Sequence, residues 1–262
     1  MSFMRWILNR ALRPLNLEIS YRKETQEVRA TMYSALLNAS KNGLAPETVI
    51  DVGAASGTLP LYQLFPGARF ILIEPLKEFA ASLEELSKKL KKAECFIAAA
   101  ASSPGNVVLN VHPDLVGSSL FREEEDSDVN GVERMVPAIT IDSLCADRNT
   151  KPPYLIKVDT QGGELEVLKG AETVIRETEL VIIEVSLFEF FKGGPQIYEC
   201  MEFMKARGFV AYDIFDPQYR LLDGAMSQID IAFVQDKSKF RKFHFYATRE
   251  QRAEQNWRFG VK

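Results

Sequence analysis

Residues 48–57 constrain this chain more than any other segment. A β-branched apolar run leads to Asp51 and then breaks into a loop with small residues at Gly53, Ala55 and Gly57. This pattern is typical of a buried parallel strand that ends in a loop whose backbone can approach a ligand closely. The segment therefore predicts an α/β fold with a cofactor-binding loop after its first strand.

The spacing of the small residues narrows the choice of cofactor. A dinucleotide-binding loop reads G-x-G-x-x-G, whereas residues 53–57 read G-x-A-x-G. A second apolar run at residues 69–73 ends at Glu74. A carboxylate there, beside a glycine loop on the first strand, can accept hydrogen bonds from both hydroxyls of a ribose. Together these signals resemble the S-adenosylmethionine site of class I methyltransferases, with Ala55 in place of a glycine often found there.

The resemblance implies which residues bind the cofactor S-adenosylmethionine. They come from the first loop, the tip of the second strand, the small-residue stretch after the third strand, and a later strand end described below. The expected cofactor-binding residues are Asp51, Gly53, Ala54, Ala55, Ser56, Gly57, Glu74, Pro75, Ala100 and Asp159.

Length and composition set the class of protein. The 262 residues contain 46% hydrophobic and 26% charged residues, as ordinary globular proteins do. This length suits one α/β domain with extensions better than two domains. No apolar run is long enough to span a membrane, and Cys95, Cys145 and Cys200 form no C-x-x-C pair. We therefore expect a cytoplasmic protein with reduced thiols.

Charge is unevenly distributed along the chain. The formal net charge is −4, yet both termini are rich in Lys and Arg, and residues 123–126 are all acidic. The cofactor-binding region has no continuous basic track, which argues against nucleic acid as a partner. Basic and apolar residues mix near both termini, a pattern that is compatible with peripheral contact with an anionic membrane at its inner face. The alternative is that the termini pack on the domain or on a second subunit of a homo-oligomer.

The remaining patterns divide the chain into three parts. We expect a helical extension over residues 1–46, a cofactor-binding domain over 47–236 and a basic aromatic tail over 237–262. Residues 100–153 are interpreted as an inserted hairpin or cap, because two alternating segments flank a polar loop. The expected core strands are residues 48–52, 69–73, 94–98, 154–159, 180–185, 209–214 and 229–234, with helices at about 79–90, 164–176 and 197–207.

A second strong signal begins at Lys157. This charged residue lies inside an apolar strand and is costly to bury unless it is paired. Asp159 follows two residues later, and Glu164 lies at a helix start, where a negative charge interacts favourably with the helix dipole. The alternative is that these charges only end a strand and begin a helix.

The block K-x-D-x-x-G-x-E at residues 157–164, followed by Leu-Lys-Gly-Ala, resembles the signature of FkbM-type methyltransferases. The similarity covers about residues 49–234. It implies methyl transfer from S-adenosylmethionine to hydroxyl groups of sugars or of secondary metabolites. It also implies a Rossmann-like class I methyltransferase fold, with a seven-stranded, mostly parallel sheet and an antiparallel last strand. Strands one and four are neighbours in this fold, so Asp159 and the first loop face one crevice.

These expectations suggest roles for the charged residues. The expected acceptor is a glycan, a glycan precursor or a small molecule, and an alcohol needs a positioned base to react at neutral pH. We assign Asp159 as that base or as the residue that orients the acceptor hydroxyl, with Glu164 and Glu184 as its partners at adjacent strand ends. Lys157 would hold one of these carboxylates ionised. No metal ligands are expected.

Other interpretations stay open at this point. The same carboxylates can hold Mg²⁺ and activate the acceptor, although no Asp-Asp pair or histidine-bearing ligand set supports this. His112 is either a second base or an exposed loop residue. A nicotinamide-dependent oxidoreductase shares the glycine loop and the acidic strand end, and a non-catalytic nucleoside-binding protein shares the whole pattern.

Overall fold

The computed structural model describes residues 29–125 and 128–258, with side chains described up to residue 254. This part of the chain forms two β-sheets. The strands are β1 (Thr48–Val52), β2 (Arg69–Ile73), β3 (Ala93–Phe96), β4 (Ala99–Ala100), β5 (Gly105–Val111), β6 (Val132–Ile139), β7 (Tyr154–Val158), β8 (Thr178–Ser186), β9 (Phe209–Tyr219) and β10 (Met226–Gln235). Seven form one sheet in the order β3-β2-β1-β7-β8-β10-β9, and three form a smaller sheet in the order β4-β6-β5.

The larger sheet confirms the predicted topology. β1 pairs in parallel with β2 and β7, and β7 pairs in parallel with β8. β10 runs antiparallel to both of its neighbours, β8 and β9. The register pairs Val52 with Val158, the last residues of β1 and β7. The strand order reverses between these two strands, and open α/β sheets bind ligands outside the carboxyl ends of strands at such a point.

Helices cover both faces of the larger sheet. They are α1 (Met32–Lys41), α2 (Leu59–Leu64), α3 (Ala80–Lys89), α4 (Ile141–Asp147), α5 (Glu164–Lys169), α6 (Ile197–Ala206) and α7 (Arg249–Arg258). α1, α2 and α3 pack on one face, and α4, α5 and α6 pack on the other. All residues of β1 and β7 are consequently buried, which explains their nearly continuous apolar sequences. Each fully buried aliphatic side chain contributes about 1.5–3 kcal/mol to folding.

Within the described part of the helical extension predicted over residues 1–46, the helix runs only from Met32 to Lys41. Thr31 accepts a hydrogen bond from the backbone of Ser34 and forms a capping box with it, so α1 starts at Met32. Gly43 has a φ of +95° just after the helix end, a conformation that favours glycine. The prediction for residues 1–28 lies outside the described residues.

The prediction of one helix over residues 164–176 is wrong. α5 ends at Lys169, and a separate 3₁₀ turn covers Val174–Glu177. The carbonyl of Gly170 accepts from the backbone of Asp142. The carboxylate of Asp142 in turn accepts from the backbone nitrogens of Thr173 and Val174, each at 2.9 Å. These two backbone nitrogens therefore donate to Asp142 and do not continue the hydrogen bonding of the helix.

The smaller sheet is built from the segment predicted as a hairpin or cap. β5 and β6 pair antiparallel, and β4 adds in parallel to β6. The third core strand is shorter than predicted because the chain leaves β2 after Phe96 and pairs with β6 from Ala99. Leu109, Val111 and β4 residue Ala99 then form a small apolar cluster with Leu76, which follows β2. This packing places the smaller sheet beside the carboxyl end of the larger one.

The C-terminal segment carries the helix α7 and exposed aromatic side chains, including Phe243, Phe245 and Tyr246. Among the described helices, none has the length and apolar character that crossing a bilayer requires. Membrane contact through the termini stays a prediction.

Candidate active site

A cleft opens at the carboxyl ends of β1, β2 and β7. Six residues predicted to bind the cofactor line the cleft, and these are Gly53, Ala55, Glu74, Pro75, Ala100 and Asp159. Seven other predicted residues are not among its lining, and these are Asp51, Ala54, Ser56, Gly57, Lys157, Glu164 and Glu184.

The loop after β1 approaches the end of β7 very closely. Gly53 has a φ of +70°, and a Cβ atom there would lie 1.7 Å from the backbone oxygen of Asp159. Only glycine fits this position. The backbone nitrogens of Gly53 and Ala54 donate to the carbonyl of Ile73 at 3.0 and 3.2 Å. The loop is thus fixed between the ends of the two neighbouring strands.

Glu74 is buried at the tip of β2 and lines the cleft. Its Oε2 accepts from the backbone nitrogen of Ala55 and its Oε1 from that of Leu76, each at 2.9 Å. Burial raises the pKa of Glu74, while the two backbone donors act to lower it. A carboxylate has about four lone-pair sites, so Glu74 is held in a fixed orientation and can still accept from ligand hydroxyls.

Asp51 lies beneath the loop rather than in the cleft. It is fully buried. Its Oδ1 accepts from the hydroxyl of Thr58 at 3.0 Å, and its Oδ2 accepts from the hydroxyl of Tyr62. Burial and the adjacent Asp51 raise the pKa of Tyr62. Asp51 therefore fixes the far end of the loop and the start of α2.

Lys157 is buried at the end of β7 among three oxygen acceptors. Its Nζ lies 3.1 Å from Oδ2 of Asp159, 3.4 Å from the carbonyl of Gly53 and 3.8 Å from Oδ1 of Asp51. Burial alone would lower the pKa of Lys157, but Asp159 and Asp51 raise it above its ordinary value. One ammonium group therefore compensates two carboxylates and ties the first loop to β7.

Glu164 closes the loop between β7 and α5. Its Oε1 accepts from the backbone nitrogens of Gly162 and Thr160, at 2.9 and 3.3 Å, and from the Thr160 hydroxyl at 3.4 Å. Burial raises the pKa of Glu164 to about 7. These contacts give Glu164 a role in shaping the loop that carries Asp159.

Glu184 lies near the end of β8 and is surrounded by three glutamine amides. Its Oε2 accepts from Gln161 and Gln228, each at 2.8 Å, and its Oε1 accepts from Gln218 at 2.6 Å. Burial and the nearby carboxylates of Asp159 and Asp230 raise the pKa of Glu184 to about 9. Asp230 lies opposite Glu184 on β10, and burial raises its pKa to about 7.

Four of these residues were missed by the sequence reasoning. Asp230 interrupts the apolar run of β10 as Lys157 interrupts that of β7, and the same argument could have found it. The three glutamines come from separate loops and strands and carry no local signal. They converge on Glu184 only because β8, β10 and β9 are neighbours.

His112 does not line the cleft. Its Nδ1 lies 2.6 Å from Oδ1 of Asp114. The ring packs against Gly117 in the turn after β5. His112 is thus a loop residue, but its side chain is only 19% exposed, less than the loop interpretation expected.

Within the described ranges, no three or more His, Cys, Asp and Glu side chains are grouped so that they could hold a metal ion. The cleft instead combines a glycine loop, a buried acid at the tip of β2 and a second acid at the end of β7.

The family model of the methyltransferase FkbM domain matches residues 51–211, more than half of the chain. The chain belongs to the FkbM methyltransferase family. It is therefore an S-adenosylmethionine-dependent methyltransferase with a Rossmann-like fold. The matched range includes the first loop, Glu74, the smaller sheet, the Lys157 block and Glu184.

Solved methyltransferase structures are similar to this FkbM-family chain at low identity. One is precorrin-6y C5,15-methyltransferase from Geobacter metallireducens GS-15, with 12% identity over 82% of this chain and 93% of that one, and a TM-score of 0.41. Another is magnesium protoporphyrin IX methyltransferase from Synechocystis PCC 6803 with bound SAM, with 8% identity, 89% and 96% coverage, and a TM-score of 0.44. A third is N-methyltransferase NodS from Bradyrhizobium japonicum WM9, with 9% identity, 78% and 93% coverage, and a TM-score of 0.44. Comparison with curated proteins gave no significant match.

Proposed function

We propose that this FkbM-family methyltransferase methylates a hydroxyl group of a sugar, on a glycan or a glycan precursor. The observation that carries the proposal is the placement of Asp159. Its carboxylate lines the cleft across from the glycine loop and Glu74, and it is paired with a buried lysine. An ionised acid in this position is suited to accept the proton of an acceptor hydroxyl.

The residues that line the cleft match the chemical groups of S-adenosylmethionine. Glu74 offers fixed carboxylate oxygens for the two ribose hydroxyls. The side chains of Leu76 and Phe79 and the small residue Ala100 form an apolar wall next to it, which suits a purine ring. The tight approach of Gly53 to β7 leaves backbone, without a side chain, at the centre of the cleft.

The reaction needs alignment and a proton acceptor. When bound, S-adenosylmethionine supplies an electrophilic methyl group on a sulfonium and leaves as a neutral thioether. In the proposed mechanism Asp159 would accept the hydroxyl proton of the acceptor as its oxygen displaces the thioether from the methyl carbon. Holding the groups in line supplies much of the rate acceleration. Lys157 donates to Oδ2 of Asp159 at 3.1 Å and thereby orients this carboxylate.

The wall beside Asp159 supports a polyhydroxylated acceptor. Polar side chains line the cleft beside this acid, from Ser118, Thr160 and Gln161. Hydroxyls and amides accept and donate hydrogen bonds, as neighbouring sugar hydroxyls require.

The variant Asp159→Asn tests the proposed role of this carboxylate. The amide keeps the shape but is not a base, so we expect turnover with a sugar acceptor to fall by about 10²- to 10³-fold. The affinity for S-adenosylhomocysteine, measured by calorimetry, should stay within about threefold because the base contributes little to product binding. The matched control is Asp147→Asn, an exposed residue at the end of α4, which should leave both quantities unchanged. Unaltered turnover in Asp159→Asn would show that Asp159 is not the proton acceptor.

The acceptor itself is tested by metabolite analysis. Cells without this protein should accumulate the unmethylated form of a glycan or glycan precursor, and the purified enzyme should methylate that compound at oxygen. Accumulation of a compound without sugar hydroxyls, or methylation at nitrogen or carbon, would contradict the proposal.

A further inference from the structure

Gln161 has a backbone conformation that is unusual for its residue type. It lines the cleft two residues after Asp159, and its φ is +52°. This left-handed region is disfavoured for residues with a Cβ atom other than asparagine and aspartate. Such conformations persist where the surrounding structure imposes them, and they cluster at functional sites.

The surroundings of Gln161 impose this conformation from two sides. Its backbone oxygen accepts from the hydroxyl of Ser119 at 2.5 Å, and Ser119 is buried in the segment that follows the smaller sheet's β5. The next residue, Gly162, has a φ of +93° and packs against the ring of Phe191. The position is thus fixed independently of the Gln161 side chain.

The side chain of Gln161 joins Asp159, which lines the cleft, to Glu184, which lies behind the lining. Its Nε2 donates to Oδ1 of Asp159 at 3.0 Å and to Oε2 of Glu184 at 2.8 Å. The other oxygen of Asp159 faces Lys157 at 3.1 Å. Both oxygens of Asp159 therefore have a donor, and its carboxylate plane is set by Lys157 and Gln161 together.

We infer that Gln161 is a positioning residue for methyl transfer, which holds Asp159 and Glu184 in a fixed relative orientation toward the acceptor hydroxyl. This inference rests on the proposed O-methylation with Asp159 as the proton acceptor. Gln218 and Gln228 differ in this respect, because they donate to Glu184 but have no hydrogen bond to Asp159 among the described contacts. The bridge between the two acids belongs to Gln161.

The variant Gln161→Asn tests the role of the side chain without changing the backbone conformation. Asparagine tolerates the left-handed conformation, but its side chain is one methylene shorter and cannot reach both acids. The comparison variant is Gln218→Asn, which removes a donor from Glu184 and leaves the bridge intact. The neutral control is Gln63→Asn on the exposed side of α2.

Turnover and its pH dependence give the first measurement. We expect Gln161→Asn to lower kcat about tenfold while the KM for S-adenosylmethionine stays within about twofold, because positioning acts on the reacting geometry and not on cofactor binding. The acidic limb of the kcat profile should move up by about one pH unit, because a carboxylate that loses a hydrogen-bond donor binds its proton more tightly. Gln218→Asn should lower kcat less, and Gln63→Asn should match the wild type. Equal losses in the two site variants would overturn the inference.

Carboxyl titration gives a second measurement that needs no acceptor. The carboxyl carbon signal of Glu184 is followed by NMR as the pH changes. This signal is assigned because it is absent from the variant Glu184→Gln. The ionisable groups that face this acid are Lys157, Asp159, Glu164 and Asp230. Gln161→Asn should move the Glu184 midpoint upward by about one pH unit, and an unchanged midpoint would overturn the bridge. If the wild type methylates no hydroxyl acceptor, the proposed function fails, while this titration still decides whether the bridge exists.

Discussion

Replacing Lys157 by methionine should destabilise the fold strongly. The ammonium group lies 3.1 Å from Asp159 and 3.8 Å from Asp51. At an effective dielectric constant of about 20, these separations correspond to attractions of about 5 and 4 kcal/mol. The cost of burying the ammonium offsets part of this gain, but the variant leaves two acids near the sheet without compensation. Breaking a buried pair in this way costs about 3–5 kcal/mol.

Urea denaturation of Lys157→Met and of the wild type at pH 8 measures this cost as a difference in the free energy of unfolding. The second substitution Asp51→Asn should recover part of the loss. The control is Lys88→Met on α3, whose ammonium is exposed and pairs with Glu84, and its free energy of unfolding should hardly change. A loss below about 1 kcal/mol in Lys157→Met would refute the reasoning that Lys157 compensates both acids.

Two further predictions follow from the same site. Gly53→Ala should abolish calorimetric binding of S-adenosylhomocysteine, because its Cβ would meet the Asp159 backbone at 1.7 Å, whereas Gly67→Ala, whose Cβ would meet no atom within 4 Å, should keep the affinity of the wild type. Equal affinity of both variants would contradict the close approach. Asp230→Asn should raise the free energy of unfolding by about 1–3 kcal/mol above pH 7. The folded protein holds the Asp230 proton up to a pKa of about 7, whereas the unfolded chain releases it near 3.8. The free energy of unfolding of the wild type therefore falls as the pH rises from about 4 to about 7. Denaturation curves should show that the advantage of Asp230→Asn vanishes below about pH 4.

The sheet could be predicted from sequence because its strands are apolar and β-branched and are separated by clear turns. β1, β2 and β7 appear where the runs before Gly53, Glu74 and Asp159 predict them. The strand ends determine where the cleft opens, so Glu74 and Asp159 could be placed there from their positions alone. That β1 and β7 are neighbours was predicted from the family signature, because local sequence patterns do not encode strand order.

The rest depends on contacts between distant segments. The break at Gly170 follows from the carboxylate of Asp142, which lies about thirty residues earlier. Asp51 was expected in the cofactor site because it borders the loop, but its two oxygens are directed to Thr58 and Tyr62. Gln161 was overlooked because a neutral residue in a loop gives no periodic or charge signal. Its importance follows from the bridge to Glu184, which only the folded chain shows.

A crystal structure with S-adenosylhomocysteine would show where the cofactor lies. We expect the ribose hydroxyls within hydrogen-bond distance of the Glu74 carboxylate and the sulfur directed toward Asp159. A nucleoside bound elsewhere on the chain, or a sulfur directed away from Asp159, would refute the proposed site.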